Sequence, residues 1–171
     1  GGSEKYIYSY YVFSLDEMPK EIPTYNGSNV VIGFLPFWVN ENQNWTPLSH
    51  VAWFSVDLNS DGTIANAHGW PKTTLVNNIH NTNTKVLLTA TLMNSASIHT
   101  LISTPSYRTT AVNTLLQQVQ AGNADGIVID FEQPTTAGDD VYLVTFMQEL
   151  STTFKAENPD YYVSICTPAV D

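Results

Sequence analysis

The sequence predicts an α/β fold built on a parallel sheet, and two features of the chain indicate it. Five short apolar runs recur along the chain, and such runs are typical of strands buried on both faces. Segments with apolar residues at helical spacing separate the later runs. Because strands that alternate with helices pair in parallel, the pattern favours a parallel sheet covered by helices.

The predicted strands leave two architectures open. They comprise residues 30–35, 50–57, 85–91, 126–132 and 161–167. Five strands in 171 residues fit an open doubly wound sheet. They equally fit the first five units of a (β/α)8 barrel, since a complete barrel takes about 250 residues.

Three helices are predicted between these strands, over residues 73–80, 106–121 and 139–157. We expect Gly122 to stop the second helix, and the two Asp residues that open the third complement its dipole. The residues at helical spacing are Ala111, Leu115, Leu116 and Val119 in the second helix, and Val141, Val144, Phe146 and Leu150 in the third.

The chain divides into an arm and a domain. Residues 1–28 are expected to form an N-terminal arm, because prolines and an Asn-Gly turn interrupt them. The opening Gly1-Gly2-Ser3 looks like a tag remnant. Residues 29–171 are predicted to form the domain.

Charge and composition restrict the partners. Sixteen acidic residues against six basic ones give a net charge of −10, which disfavours nucleic acid and anionic membranes and suits a neutral polysaccharide. No apolar run approaches membrane-spanning length. The single cysteine, Cys166, lies in an apolar run and is expected to be a buried core thiol.

The sequence predicts neither a metal site nor a cofactor. The four histidines lack ligand spacing, and no phosphate loop or dinucleotide fingerprint occurs. Residues 57–62 resemble the start of a calcium loop, but its twelfth position is His68 rather than Glu. We therefore expect a turn there.

The fourth predicted strand carries the candidate site. Side-chain alternation puts Asp130 and Glu132 on one face at the strand's carboxyl end. Two buried carboxylates are costly unless they are used, and active sites of α/β proteins lie at carboxyl strand ends. A solvated strand end that binds a lysine or helix N-termini is the structural alternative.

Residues 125–134, Asp-Gly-Ile-Val-Ile-Asp-Phe-Glu-Gln-Pro, closely resemble the fourth-strand signature of family 18 glycoside hydrolases, Asp-Gly-x-Asp-x-Asp-x-Glu. Four further segments resemble that family's first, second, third and fifth strands in order: residues 31–38, 50–56, 85–90 and 167–169. The resemblance covers about residues 29–171 and implies the first five units of a (β/α)8 barrel.

The resemblance implies retaining, substrate-assisted hydrolysis of β-linked N-acetylhexosamine polymers such as chitin or peptidoglycan. Glu132 matches the acid that protonates the leaving oxygen, and Asp130 matches the residue that orients the acetamido nucleophile. We expect Phe37, Trp38 and Gln133 to bind the sugar chain. Asp125 is expected to be structural, because it points to the opposite face.

Two departures from the family pattern bear on activity. Val128 stands where the signature has its middle Asp, and the family's later strands have no counterpart before Asp171. We expect weak catalysis by this chain alone and self-association through exposed strand edges. A catalytically inactive glycan-binding protein is the alternative function, and an unrelated open α/β protein is a third. A secreted or cell-surface location is expected.

Overall fold

The computed structural model describes residues 30–132 and 134–167. The strands are β1 (Ile32–Pro36), β2 (His50–Leu58), β3 (Ile64–Asn66), β4 (Lys85–Leu92), β5 (Gly126–Phe131) and β6 (Tyr162–Ile165). The helices are α1 (Thr73–His80), α2 (Ser95–Ser103), α3 (Pro105–Gly122) and α4 (Asp139–Glu157). The predicted arm of residues 1–28 lies outside the described residues.

The sheet is parallel and its strands follow chain order. β1, β2, β4, β5 and β6 pair in that sequence, and β3 pairs antiparallel with β2. An open doubly wound sheet reverses its strand order at a switch point. The five parallel strands β1, β2, β4, β5 and β6 follow one another across the sheet without such a reversal, which is the order of a (β/α)8 barrel.

One face of the sheet, here called the outer face, packs against the helices. It buries the apolar side chains predicted for the fourth strand, which confirms that part of the alternation. Each such aliphatic or aromatic side chain contributes about 1.5–3 kcal/mol by leaving water. The core includes Val51, Trp53, Val86, Leu88, Ile127, Ile129 and Phe131 from the strands, and Phe146, Leu150 and Phe154 from α4.

The opposite face, here called the inner face, has fewer buried side chains than the outer face. Ala52, Leu87 and Val128 form a small buried cluster on it. On β1, Ile32 is 41% exposed and Phe34 is 43% exposed. The prediction that every strand is buried on both faces was therefore wrong for β1. Among the strands that the structure describes, β1 is outermost and has a sheet neighbour on one side only.

The end of α3 differs from the prediction. Gly122 is the last helical residue, and Asn123 adopts the left-handed conformation that ends the helix, with φ of 56°. Asn tolerates that conformation better than most residues. Gly122 instead makes room for Trp70, because a Cβ there would lie 2.0 Å from the indole Cζ2.

Two elements were not predicted, α2 and β3. Asn94 caps α2 by accepting a hydrogen bond from the Ser97 amide at 3.0 Å. Ile98, Leu101 and Ile102 then recur at helical spacing and are fully buried, so the signal was present in the sequence. The strand β3 is only three residues long and exists through its pairing with β2.

Helix α4 has the predicted bounds but a narrower buried stripe. Phe146 and Leu150 are fully buried, whereas Val141 and Val144 are 62% and 56% exposed. At its start, Asp139 is buried and accepts hydrogen bonds from the Thr136 amide and from His99. The acidic first turn thus has specific partners in addition to the helix dipole.

Candidate active site

The two predicted carboxylates lie at the carboxyl end of β5. Asp130 is half-buried within the strand, and Glu132 follows directly after the last strand residue with an exposed side chain. The Glu132 amide donates to the Leu92 carbonyl at 3.3 Å, so the backbone of β5 stays tied to β4. The strand therefore presents both acids at the edge where (β/α)8 barrels carry their reactive groups.

The surroundings of Asp130 favour its protonated form. Burial raises the pKa of Asp130, and the negative charge of Glu132 raises it further. A hydrogen bond with the Cys166 thiol partly opposes this pKa increase. Cys166 is half-buried on the inner face rather than enclosed in the main core, so the expectation of a fully buried thiol was wrong.

Val128 makes the floor beneath Asp130 apolar. Its side chain is 4% exposed and packs with Ala52, Leu87 and Cys166. The signature carries its middle carboxylate at this position. The inner face below Asp130 is therefore apolar at this position, whereas the family signature places a second ionisable group there.

Asp125 lies at the other end of β5 and ties several elements together. Its carboxylate accepts hydrogen bonds from His80 Nε2 at 2.8 Å, from the Val86 amide at 2.7 Å and from Lys85 Nζ at 3.4 Å. These partners lie in α1 and β4. The contacts agree with the structural role expected for Asp125.

A row of polar side chains extends from Asp130 across the sheet. The strand register aligns Asp130 with Thr91 on β4 and Thr91 with Asp57 on β2. Thr91 Oγ1 donates to Asp57 Oδ1 at 2.7 Å. Sequence reasoning missed this row, because residues on three strands meet only through the sheet register. A signal existed, since Thr91 and Asp57 both end predicted strands.

Asp57 is held by three donors. Ser55 Oγ lies 3.2 Å from Oδ1 and His68 Nε2 lies 2.7 Å from Oδ2, in addition to Thr91. Burial alone would raise the pKa of Asp57, but the hydrogen bonds from Thr91, His68 and Ser55 outweigh it and lower that pKa. The carboxylate is therefore ionised at neutral pH.

Residues 60–63, within the segment whose start resembles a calcium loop, form the expected turn. Asp61 accepts hydrogen bonds from the Thr63 amide at 3.0 Å and from Thr63 Oγ1 at 2.7 Å. Within residues 30–132 and 134–167, no three His, Cys, Asp or Glu side chains are grouped so that they could hold a metal ion.

Phe37 and Trp38 form an aromatic surface after β1, here called the aromatic platform. Trp38 is 63% exposed and lies edge-on to Phe37, with ring centroids 4.7 Å apart. The Phe37 ring stacks face to face on the imidazole of His68, with centroids 3.8 Å apart and planes within 10°. Gln133, the third residue predicted to bind sugar, lies outside the described residues.

Helices in the described part of the chain do not reach the length and apolarity that a membrane crossing requires.

A parallel sheet wound in chain order, with acids at the carboxyl end of its fourth parallel strand, is typical of the (β/α)8 barrel class. Within that class, the chain belongs to the glycosyl hydrolases family 18, whose family model matches residues 20–171. The predicted resemblance is thereby confirmed.

Solved structures confirm the predicted fold. A chitinase from Bacteroides thetaiotaomicron is similar with a TM-score of 0.72 and 20% identity, over 81% of this chain and 46% of that chain. A family 18 chitinase from Cycas revoluta in complex with (GlcNAc)3 is similar with a TM-score of 0.69 and 16% identity, over 81% and 46%.

The spore cortex-lytic enzyme SleL from Bacillus megaterium is similar with a TM-score of 0.67 and 13% identity, over 80% of this chain and 34% of that chain. The chain thus spans less than half the length of these three structures, in agreement with the predicted partial barrel. No curated protein matches the chain.

Proposed function

We propose that the protein hydrolyses β-linked N-acetylhexosamine polymers of the chitin or peptidoglycan type. The observation that carries this proposal is the pair Asp130 and Glu132 at the carboxyl end of β5 in a family 18 chain. Similar structures include chitinases, one of them in complex with (GlcNAc)3, and a spore cortex-lytic enzyme. Those names support polymers of N-acetylated sugars as the substrate class.

In the proposed mechanism, Glu132 is the general acid and then the general base. Its proton passes to the glycosidic oxygen as the bond to the anomeric carbon breaks. The resulting carboxylate later accepts a proton from the water that attacks the same carbon. The exposed position of Glu132 beyond the end of β5 leaves room for both the leaving sugar and the water.

Asp130 is proposed to orient the substrate's own nucleophile. The acetamido oxygen attacks the anomeric carbon, and the acetamido N–H becomes acidic as the ring closes. An adjacent carboxylate accepts that hydrogen bond and balances the developing positive charge. Burial and the Glu132 charge raise the pKa of Asp130, so its ionised form is costly in the free site. The positive charge that develops on the closing ring lowers that cost, because it lies beside the carboxylate.

The aromatic platform is proposed to bind a sugar ring at a distance from the acids. β1 and β5 are separated by β2 and β4, so three strand spacings, about 14 Å, lie between the two groups. That separation suits an oligosaccharide better than a single sugar. We propose that Gln133, which follows Glu132 directly, hydrogen-bonds the same chain.

Binding without catalysis is the second candidate function. Val128 favours this alternative. It makes the inner face beneath Asp130 apolar, so this position supplies no second carboxylate that could share a proton with Asp130. Both candidates act on polymers found outside the cytoplasm, so we propose a secreted or cell-surface location.

The test combines the intact mass of the natural, tag-free gene product with its turnover of a fluorogenic N-acetylglucosamine oligomer. We expect turnover in the natural protein and a loss of about 10²–10⁴-fold in Glu132→Gln, with oligomer binding retained. Glu157→Gln, at the end of α4, is the matched control and keeps full turnover.

Three results separate the candidates. Full turnover in Glu132→Gln contradicts the assigned acid. Oligomer binding by the natural protein without turnover supports the glycan-binding alternative. Neither binding nor turnover contradicts both candidate functions.

A further inference from the structure

The imidazole of His68 connects the aromatic platform to the sheet. One face of the ring stacks on Phe37 with a centroid distance of 3.8 Å. Its Nε2 lies 2.7 Å from Asp57 Oδ2. The His68 side chain is 17% exposed and that of Asp57 is 41% exposed, so the imidazole is largely buried between two partners that are themselves partly exposed.

The carboxylate of Asp57, which pairs with His68, is fixed by side chains from two strands. Asp57 belongs to β2, and Thr91 on β4 donates to it at 2.7 Å. Ser55 donates to the same oxygen at 3.2 Å. Asp57 therefore presents Oδ2 to His68 in one orientation, and its ionised state makes that hydrogen bond a strong one.

The backbone of His68 is also held. Its φ of 46° is left-handed, which is uncommon for a residue with a side chain. The side chain of Asn66 accepts a hydrogen bond from the His68 amide at 2.9 Å. Backbone and ring are thus fixed by separate contacts, as expected for a side chain with a positional role.

The backbone of Phe37 is tied to β2, because its amide donates to the Phe54 carbonyl at 2.8 Å, but its ring is partly exposed. It lies just beyond β1, which is an outermost strand, and 37% of it is exposed. Trp38 beside it is still more exposed. An exposed ring that must be ordered before it can stack on a ligand costs binding free energy, and a partner that orders it in advance removes that cost.

We propose that His68 is a positioning residue that holds the Phe37 ring in place for a sugar, with Asp57 fixing the imidazole. This inference rests on the proposed function, because it assigns substrate affinity to the aromatic platform. It adds β2 and the loop after β3 to the site, beyond the acids of β5. We refer to the Phe37–His68–Asp57 contact as the clamp.

Two substitutions in the natural full-length chain separate the contacts of the clamp. His68→Phe keeps a ring for stacking and loses the donor to Asp57, whereas His68→Gln keeps a donor and loses the ring. We expect His68→Gln to raise KM for the N-acetylglucosamine oligomer about three- to tenfold, as the worth of an aromatic pair predicts. The value of kcat stays within about twofold, since the lost contact is not made to the reacting atoms. His68→Phe raises KM less.

His99→Gln is the matched control. His99 also pairs with an aspartate, with Nδ1 at 2.7 Å from Asp139 Oδ1, but the pair joins α2 to α4 on the outer side of the sheet. Its loss lowers stability without changing KM. A KM increase shared by His99→Gln and His68→Gln would indicate general loosening and would overturn the positioning role.

Proton NMR tests the clamp without any substrate. The Phe37 ring current shifts the carbon-bound imidazole protons of His68 upfield, and Phe37→Leu removes that shift. Imidazole resonances that are the same in both proteins overturn the proposal. If the wild-type protein turns over the oligomer and His68→Gln has an unchanged KM, the clamp alone fails. If the wild-type protein neither binds nor cleaves the oligomer, the proposed function fails as well.

Discussion

Gly122 lies directly against the indole of Trp70. A Cβ at residue 122 would come within 2.0 Å of Cζ2 and 2.6 Å of Cε2. The indole is fixed in turn, because its Nε1 donates to the Gln118 carbonyl at 2.9 Å and its ring packs on Trp53. The last turn of α3 and the loop before α1 are therefore closed by a contact that only glycine permits.

Gly122→Ala is expected to destabilise the protein by about 1–3 kcal/mol, the usual cost of forcing extra volume into a packed region. In an exposed helix the same change stabilises by about 1 kcal/mol, so the sign of the effect is diagnostic. Urea unfolding followed by circular dichroism measures it. Asn123→Gly, at the next residue, is the control and is expected to be near neutral, since glycine adopts the left-handed conformation readily. An increase in stability for Gly122→Ala would contradict the close contact.

Stability is expected to respond to pH in opposite directions through Asp57 and Asp130. The pKa of Asp57 is lowered in the folded state, so its contribution is present above the unfolded pKa of about 3.9 and is lost as the pH falls through the lower folded value. The pKa of Asp130 is raised, so the folded state is favoured by its proton, and stability falls as the pH rises through the range above about 3.9.

Asp57→Asn and Asp130→Asn test these opposite signs. In urea unfolding from about pH 2 to pH 7, Asp57→Asn shows a smaller acid-side decline than the wild-type protein. Asp130→Asn loses the decline above the unfolded pKa and is the more stable protein at neutral pH. Asp160→Asn, in the exposed turn before β6, is the control for a general charge effect. Parallel curves for Asp57→Asn and Asp130→Asn would refute the assignment.

Val128→Asp is expected to restore a second carboxylate beneath Asp130. Val128 is buried against Ala52 and Leu87, so the new carboxyl group costs on the order of 3 kcal/mol of stability. Two carboxylates this close share one proton, and the pH–rate profile of oligomer turnover gains a second ionisation. Val128→Asn has a similar size without the charge and leaves the number of ionisations unchanged. A profile identical in both variants would argue against coupling to Asp130.

The 171-residue chain is expected to self-associate through its outermost strands. Ile32 and Phe34 on β1 and Tyr162 on β6 are each about 40% exposed, and outermost strands offer unpaired backbone groups to a second copy. Sedimentation of the chain should give a mass above its 18.9 kDa. Ile32→Lys reduces the association by placing a charge on the strand edge, and Val141→Lys on α4 is the matched surface control. A monomeric wild-type chain would contradict this expectation.

Local pattern was sufficient where neighbours in sequence decide the structure. The bounds of α1 and α4 match those predicted from the sequence. The placement of Asp130 and Glu132 follows from strand alternation alone. These features depend on few contacts with distant residues.

Long-range contacts decided the rest. Gly122 reads as a helix stop, but Trp70, distant in sequence, requires it inside the helix. Asp57 and His68 occupy the first and twelfth positions of a segment that begins like a calcium loop, but their contacts are with Thr91 and Phe37, distant in sequence. Neither pairing leaves a periodic trace in the sequence.

Asp125 gives the two ends of the sheet different tolerance to mutation. Its carboxylate joins α1 to the amino-terminal ends of β4 and β5, while Asp130, Glu132 and the aromatic platform all lie at the carboxyl ends or beyond them. If the proposed function holds, substitutions in the carboxyl-end loops are expected to alter substrate preference while leaving the anchoring contacts at the amino end in place. Randomising the loops at the carboxyl ends of the strands is therefore expected to be sufficient for selecting variants with new specificity.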